Sequence, residues 1–133
     1  MGPFAYRLRD GLIYLPVHVG REAAPAEAFD FVLDTAAART ILNVKHARKL
    51  GLALDSGHHL SRIRSVIGEE LGVFVRVPLF EALGWVREDF ELACHAFRAE
   101  EDINGLLGAD FFAGLRLTID YGAGTVELDE SAS

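Results

Sequence analysis

Apolar and polar positions alternate along most of this chain at the spacing of strands rather than helices. Leu12-Ile-Tyr-Leu-Pro-Val-His-Val19 is rich in β-forming residues, with Pro16 suiting an edge or a strand start. Gly20 to Glu27 is a turn-like connection of small residues, and Phe29 to Leu33 reads as the hairpin partner of the first strand. Past Asp34 a short apolar run reaches Leu42. Asn43 is a good N-cap for a helix over Val44–Leu50, with basic residues in its last turn and Gly51 as its stop. So short a helix depends on tertiary packing.

Leu60 to Val77 alternates again, with Ile63, Ser65 and Ile67 on one face and Arg62, Arg64 and Val66 on the other. Gly68-Glu-Glu70 interrupts it, which predicts a hairpin with a glycine-containing tip. Leu79 to Trp85 reads as an irregular link and Val86 to Phe97 as a further strand. Arg98 to Asp102 is a charged loop. Ile103 to Gly108 is an apolar strand punctuated by glycines, leading to a short helix over Asp110–Gly114 with Asp110 as its cap. Leu115–Tyr121 and Thr125–Leu128 form a closing hairpin through Gly122-Ala-Gly124, and the polar tail to Ser133 should fray. The class expected is all-β with two short helices. No helix is long enough for a run of crossovers, so a closed β-barrel-like structure fits better than an α/β sheet.

Composition narrows this further. A chain of 133 residues, half apolar and a quarter charged, should fold as a single domain over 1–133 with its core at about 12–128. A formal charge of −7 disfavours nucleic-acid partners, whose recognition begins with a basic field. No apolar run approaches the roughly 18 residues of a membrane span. Cys94 is the lone cysteine, so no intrachain disulfide is possible, and a small buried hydrophobe is its simplest role. The first residues lack a signal-peptide apolar core, and Tyr6 stands where myristoylation wants Ser or Thr. A cytoplasmic protein is expected.

The chemistry concentrates at one acid. Phe31-Val-Leu33 delivers the carboxylate of Asp34 into a turn of Thr35 and small residues. An acid between two buried strands is costly unless it is hydrogen-bonded or functional. Taken alone, Asp34 could be a turn aspartate bonding its own backbone. His18, His46, His58, His59 and His95 lack metal-ligand spacing, so no metal or cofactor is expected. Asp120 reads as structural, Phe111 and Phe112 as core, and Arg62 with Arg64 as a solvated face or a seat for a partner's carboxylate.

Val32-Leu-Asp-Thr-Ala-Ala37 resembles the active-site signature of retropepsin-like aspartic proteases, two apolar residues followed by Asp-Thr-Gly-Ala or a close variant. Ile103-Asn-Gly-Leu-Leu-Gly-Ala-Asp-Phe-Phe112 is similar to that family's second motif, and Leu117 to Leu128 looks like its C-terminal hairpin. The resemblance implies the acid-protease fold, one lobe per chain, and an endopeptidase acting on polypeptides. Peptide hydrolysis without metal or covalent nucleophile can use two carboxylates sharing a proton. Only one Asp-Thr-small motif is present, so the dyad would be Asp34 and its copy in a homodimer.

The resemblance also implies supporting roles. Thr35 would bond across the dimer, the backbone at Ala36 would help hold the carboxylates coplanar with Ala37 as further support, and Leu106, Leu107 and Gly108 would pack beneath. Ile67, Gly68 and Glu69 would form the tip of a flap over substrate. Pocket shape would depend on Val32, Ile67 and Leu106. Two departures stand out. Ala36 replaces the usual Gly, which would cost on the order of 1 kcal/mol if that position needs φ > 0. Glu69 and Glu70 place negative charge near the proposed tip. They motivate the alternative of a catalytically silent domain of the same fold serving peptide binding or dimerisation. A monomeric β-domain that merely echoes the motif is the remaining option.

Overall fold

Strand β3 (Leu12–Arg21) is the hub of the barrel, because three other strands hydrogen-bond to it. The computed structural model describes residues 2–22, 24–52, 54, 60–65, 68–97 and 102–130. One edge of β3 pairs antiparallel with β4 (Ala24–Leu33), with Leu15 opposite Phe31 and Arg21 opposite Ala24. The hairpin is therefore longer than expected, and most of Gly20 to Glu27 belongs to it rather than to a loop. The other edge is shared in succession by β2 (Arg7–Arg9) and β7 (Gly68–Ala82). Neither β2 nor β1 (Phe4–Ala5) is anticipated by the sequence reading.

The barrel closes through β9 (Gly105–Leu107), which lies between β4 and β5 (Ile41–Asn43). It runs parallel to β4, with Val32 opposite Leu106, and antiparallel to β5. β8 (Trp85–His95) then joins β5 to β7, and the β3–β7 pairing completes a ring of six strands, β3-β4-β9-β5-β8-β7. Closure removes the free edges that an open sheet would expose. A separate three-stranded sheet orders β1, β11 (Thr125–Glu130) and β10 (Leu115–Asp120). The closed all-β architecture is as expected.

Odd-numbered side chains of β3 and β4 fill the barrel: Leu15, Val17, Val19 and Phe31 are fully buried, with Leu92 and Leu107. Phe80 sits among aromatic rings, with centroids 6.0 Å from Phe31 and 5.6 Å from Phe111. Each such side chain contributes roughly 1.5–3 kcal/mol by leaving water. Helix α1 (Val44–Lys49) starts where expected, with Asn43 Oδ1 accepting from the Lys45 N–H at 3.1 Å, and it buries Ala47. Phe111 and Phe112 are core residues, as read.

Three local expectations need correction. Leu79 to Trp85 is not irregular: β7 runs through to Ala82 and turns on Leu83-Gly84, both at positive φ (54° and 79°), into β8. That pair of angles is the two-residue hairpin turn whose twist suits flanking strands, and a buried Leu83 offsets its strain. Gly68-Glu-Glu70 is not the hairpin tip either. β6 (Leu60–Ser65) pairs Ser65 with Gly68 and Arg64 with Glu69, so Gly68, Glu69 and Glu70 belong to the returning strand. The expected flap residue Ile67 lies outside the described residues. The last correction concerns Asp110, below.

Cys94 is buried in the core, as expected, and burial pushes its thiol up to about 12 from 9.0. A raised folded-state value means the stabilisation is fully present below pH 9 and is lost as pH rises toward 12. Ellman-type thiol titration at pH 8 should leave the native protein unlabelled and label Cys94 at once in denaturant. Rapid native labelling would contradict its burial.

Candidate active site

Asp34 stands where β4 leaves the sheet. Its backbone N–H donates to the Leu107 carbonyl at 3.0 Å, which extends the parallel β4–β9 ladder by one bond. The chain then reverses at once, since the Ala37 N–H donates to the Asp34 carbonyl at 3.1 Å. Asp34 Oδ1 accepts from the Ala36 N–H at 3.1 Å. The turn-aspartate role is thus realised, yet it uses one oxygen. Among the described residues Oδ2 takes no hydrogen bond, and the half-buried side chain remains reachable from solvent.

Thr35 and Ala36 are exposed beside it. Ala36 is not in the left-handed region: the described non-glycine residues at positive φ are Asp10, Leu83, Asp89 and Asp102. Alanine therefore fits this turn without the strain its substitution for glycine suggested.

The floor of the loop comes from the second motif. Leu107 is fully buried and Leu106 half-buried. The Ala109 N–H donates to the Ala37 carbonyl at 2.8 Å. Gly108 passes so close that a Cβ there would lie 2.5 Å from the Arg39 carbonyl carbon and oxygen and 2.9 Å from the Ala37 oxygen. Glycine is required here by space. The structure thus brings Asp34, Ala36, Ala37, Leu107 and Gly108 together; Gly68 and Glu69 sit on the hairpin of β6 and β7.

Two residues that the sequence reading undervalued tie this floor to the strand beyond. The helix after Gly108 is a single 3₁₀ turn, Ala109–Phe112, without any side-chain cap. Asp110 does not cap it. Its Oδ1 instead accepts from the backbone N–H (2.8 Å) and hydroxyl (2.7 Å) of the fully buried Thr40. Thr40 Oγ1 in turn accepts from the Gly108 N–H at 3.1 Å. So short a helix has few free N–H groups in line, whereas Thr40 offers two donors. The far end of the Asp34 loop is therefore pinned through the Asp110 carboxylate, while the Asp34 end is held by its bond to the Leu107 carbonyl. Asp110→Ala should cost about 3 kcal/mol in denaturant melts, because it strands two donors of a buried threonine. Asp110→Asn keeps the accepting oxygen and should retain most of that stability. Equal losses in both would contradict the bridging role.

Asp34 is one activatable carboxylate on a rigid turn, lacking a neighbouring acid in its own loop. Fold and loop together define the single-lobe acid-protease class, an Asp-Thr-small turn resting on an apolar-apolar-Gly motif. The aspartyl protease family profile matches residues 20–111, and the chain belongs to that family. The structure is similar to a retropepsin-like aspartic protease from Rickettsia conorii, with TM-score 0.64 and 21% identity over 98% of this chain and 94% of that one. It is also similar to the retroviral protease-like domain of Ddi1 from Leishmania major, with TM-score 0.52 and 16% identity over 89% of this chain and 93% of that one. No curated protein sequence matches the chain. Among the described residues no helix is long and apolar enough to cross a membrane.

Proposed function

We propose that the protein is a homodimeric aspartic endopeptidase in which Asp34 of each chain supplies half of a shared dyad. The observation that carries this reading is the Asp34 loop itself: a half-exposed carboxylate, one oxygen fixed by the Ala36 N–H, on a turn seated against Leu107 and Gly108. One carboxylate takes a proton from water as the water oxygen bonds to the scissile carbonyl carbon. The other, protonated, donates toward the carbonyl oxygen. Collapse of the tetrahedral species breaks the C–N bond, and the dyad returns a proton to the departing amine.

Thr35, exposed next to Asp34, is available to bond across the two-fold axis, and the hairpin of β6 and β7 is the candidate flap. Ala36 in ordinary backbone geometry removes the strain argument for a silent domain. A single buried cysteine and the acidic composition fit a cytoplasmic setting. Sedimentation should give twice the 14.6 kDa of one chain, and an unstructured polypeptide should be cut between pH 3 and 7. A strict monomer at high micromolar concentration would remove the dyad.

A further inference from the structure

Alternation along β4 places Asp30, Val32 and Asp34 on one face of the sheet, opposite to the barrel-filling Phe31. Register extends that face sideways. Tyr14 is opposite Val32 on β3, Arg7 is opposite Tyr14 and Arg9 opposite Leu12 on β2, and Leu106 is opposite Val32 on β9. On this face lies a groove of about 410 Å³ whose lining includes Arg7, Arg9, Tyr14, Asp30, Asp102 and Asn104. It thus shares the side of the sheet from which the Asp34 carboxylate projects. Leu12 is level with the Asp34 end of β4, so Arg9 lies two strands, about 10 Å, from Asp34.

The groove has a prepared cation. The Arg9 guanidinium sits 4.5 Å from the centroid of the Tyr14 ring, and its Nη2 donates to the Tyr14 hydroxyl at 3.0 Å. Tyr14 is itself buried, so this support is fixed. One donor is used, and the rest of the planar fork is free to grip a carboxylate. The neighbours do not compete for it equally. Asp30 is ion-paired with Arg7, the Asn104 side-chain oxygen is engaged by His46 Nε2 at 2.7 Å, and the exposed Asp102 and Asp10 act on Arg9 only through space, without a hydrogen bond to it.

We propose that this groove is a specificity subsite that seats an acidic side chain of the bound polypeptide on Arg9. An extended peptide advances about 3.3 Å per residue, so an acidic residue seated on Arg9 lies roughly three positions from the bond at Asp34. Two-fold symmetry would place one such subsite on each side of that bond. The inference rests on reading Asp34 as facing a bound polypeptide, and it adds the class of substrate: polypeptides with an acidic residue flanking the cut site. The protein's overall negative charge opposes indiscriminate binding of such chains, which makes the fixed guanidinium the selecting element.

The test uses the full chain carrying Asp34→Asn, which holds peptide without cutting it. Labelled neutral decapeptides with one Glu, Gln or Lys moved along them are titrated by fluorescence anisotropy. The Glu series should bind about 10-fold tighter than Gln at its best position, and Arg9→Glu should invert the order to favour Lys. Arg9 is exposed, and the Glu-to-Gln comparison on the protein with Arg9 intact needs no surface variant at all. Equal affinities, a preference untouched by Arg9→Glu, or no peptide binding would each overturn the subsite. Cleavage of the same peptides by the wild-type chain separates the two readings. Cutting without charge preference sinks the subsite alone, whereas selective binding without cutting sinks the protease reading and leaves the subsite standing.

Discussion

Asp34→Asn should abolish proteolysis, by at least about 10³-fold in kcat, while leaving the melting curve nearly unchanged. The size of the effect follows from symmetry. In a homodimer the substitution removes both carboxylates of the dyad at once, so neither water activation nor carbonyl polarisation retains its acid–base group. The small stability change follows from geometry, because an asparagine oxygen can still accept the Ala36 N–H that Asp34 Oδ1 accepts now. Near-neutral pH and acid pH should both show the loss. Peptide assays with matched thermal melts check the pair of outcomes. A variant that retains a substantial fraction of wild-type kcat would place the chemistry elsewhere.

Gly108→Ala is expected to be strongly damaging for a single-methyl change beside the Asp34 loop. The added Cβ would meet the Arg39 carbonyl group at 2.5 Å and the Ala37 oxygen at 2.9 Å, all backbone atoms that cannot rotate aside. Overpacking of this kind costs about 3 kcal/mol, or roughly 10 °C in Tm for a chain of this size. The same atoms belong to the loop that carries Asp34, so the surviving folded protein should also lose activity. A displacement near 1 Å costs on the order of 100-fold. By contrast a methyl at Gly11 or Gly114 meets no neighbour within 4 Å, and only its positive φ (78° and 80°) opposes it. Denaturant melts of Gly108→Ala beside Gly114→Ala make the comparison. A milder effect at 108 than at 114 would contradict the close approach.

The fold was legible where one residue type had one reason to be present. Asn43 before Val44, Gly51 after the helix and the alternation of Leu115 to Asp120 all forced their elements. The Asp34 loop and its apolar-apolar-Gly floor were legible for the same reason, because an acid in small residues and glycines in an apolar strand each demand explanation. What escaped was set by partners distant in sequence. Leu83 at positive φ is tolerated because the barrel buries its side chain, and no local signal marks it as a turn residue. Asp10-Gly11, also both at positive φ, did carry a hairpin signal, but the strand before it is only three residues long. The parallel β4–β9 pairing joins segments that hairpin reasoning cannot connect. Asp110 looked like a cap because a helix follows Gly108. The competing donors belong to Thr40, seventy residues earlier, and their two bonds outweigh a cap on a single 3₁₀ turn.

The central claim is that one site is built from two chains, and a mixing experiment tests it most directly. Wild-type protein is held at fixed concentration while the Asp34→Asn chain is added and subunits are allowed to exchange. A mixed dimer has one carboxylate, so activity per wild-type chain should fall to about half at equal amounts and toward zero in excess. Activity that stays constant while pull-down of an affinity-tagged Asp34→Asn chain recovers wild-type partner would mean that a single chain cuts on its own, and the shared dyad would be wrong.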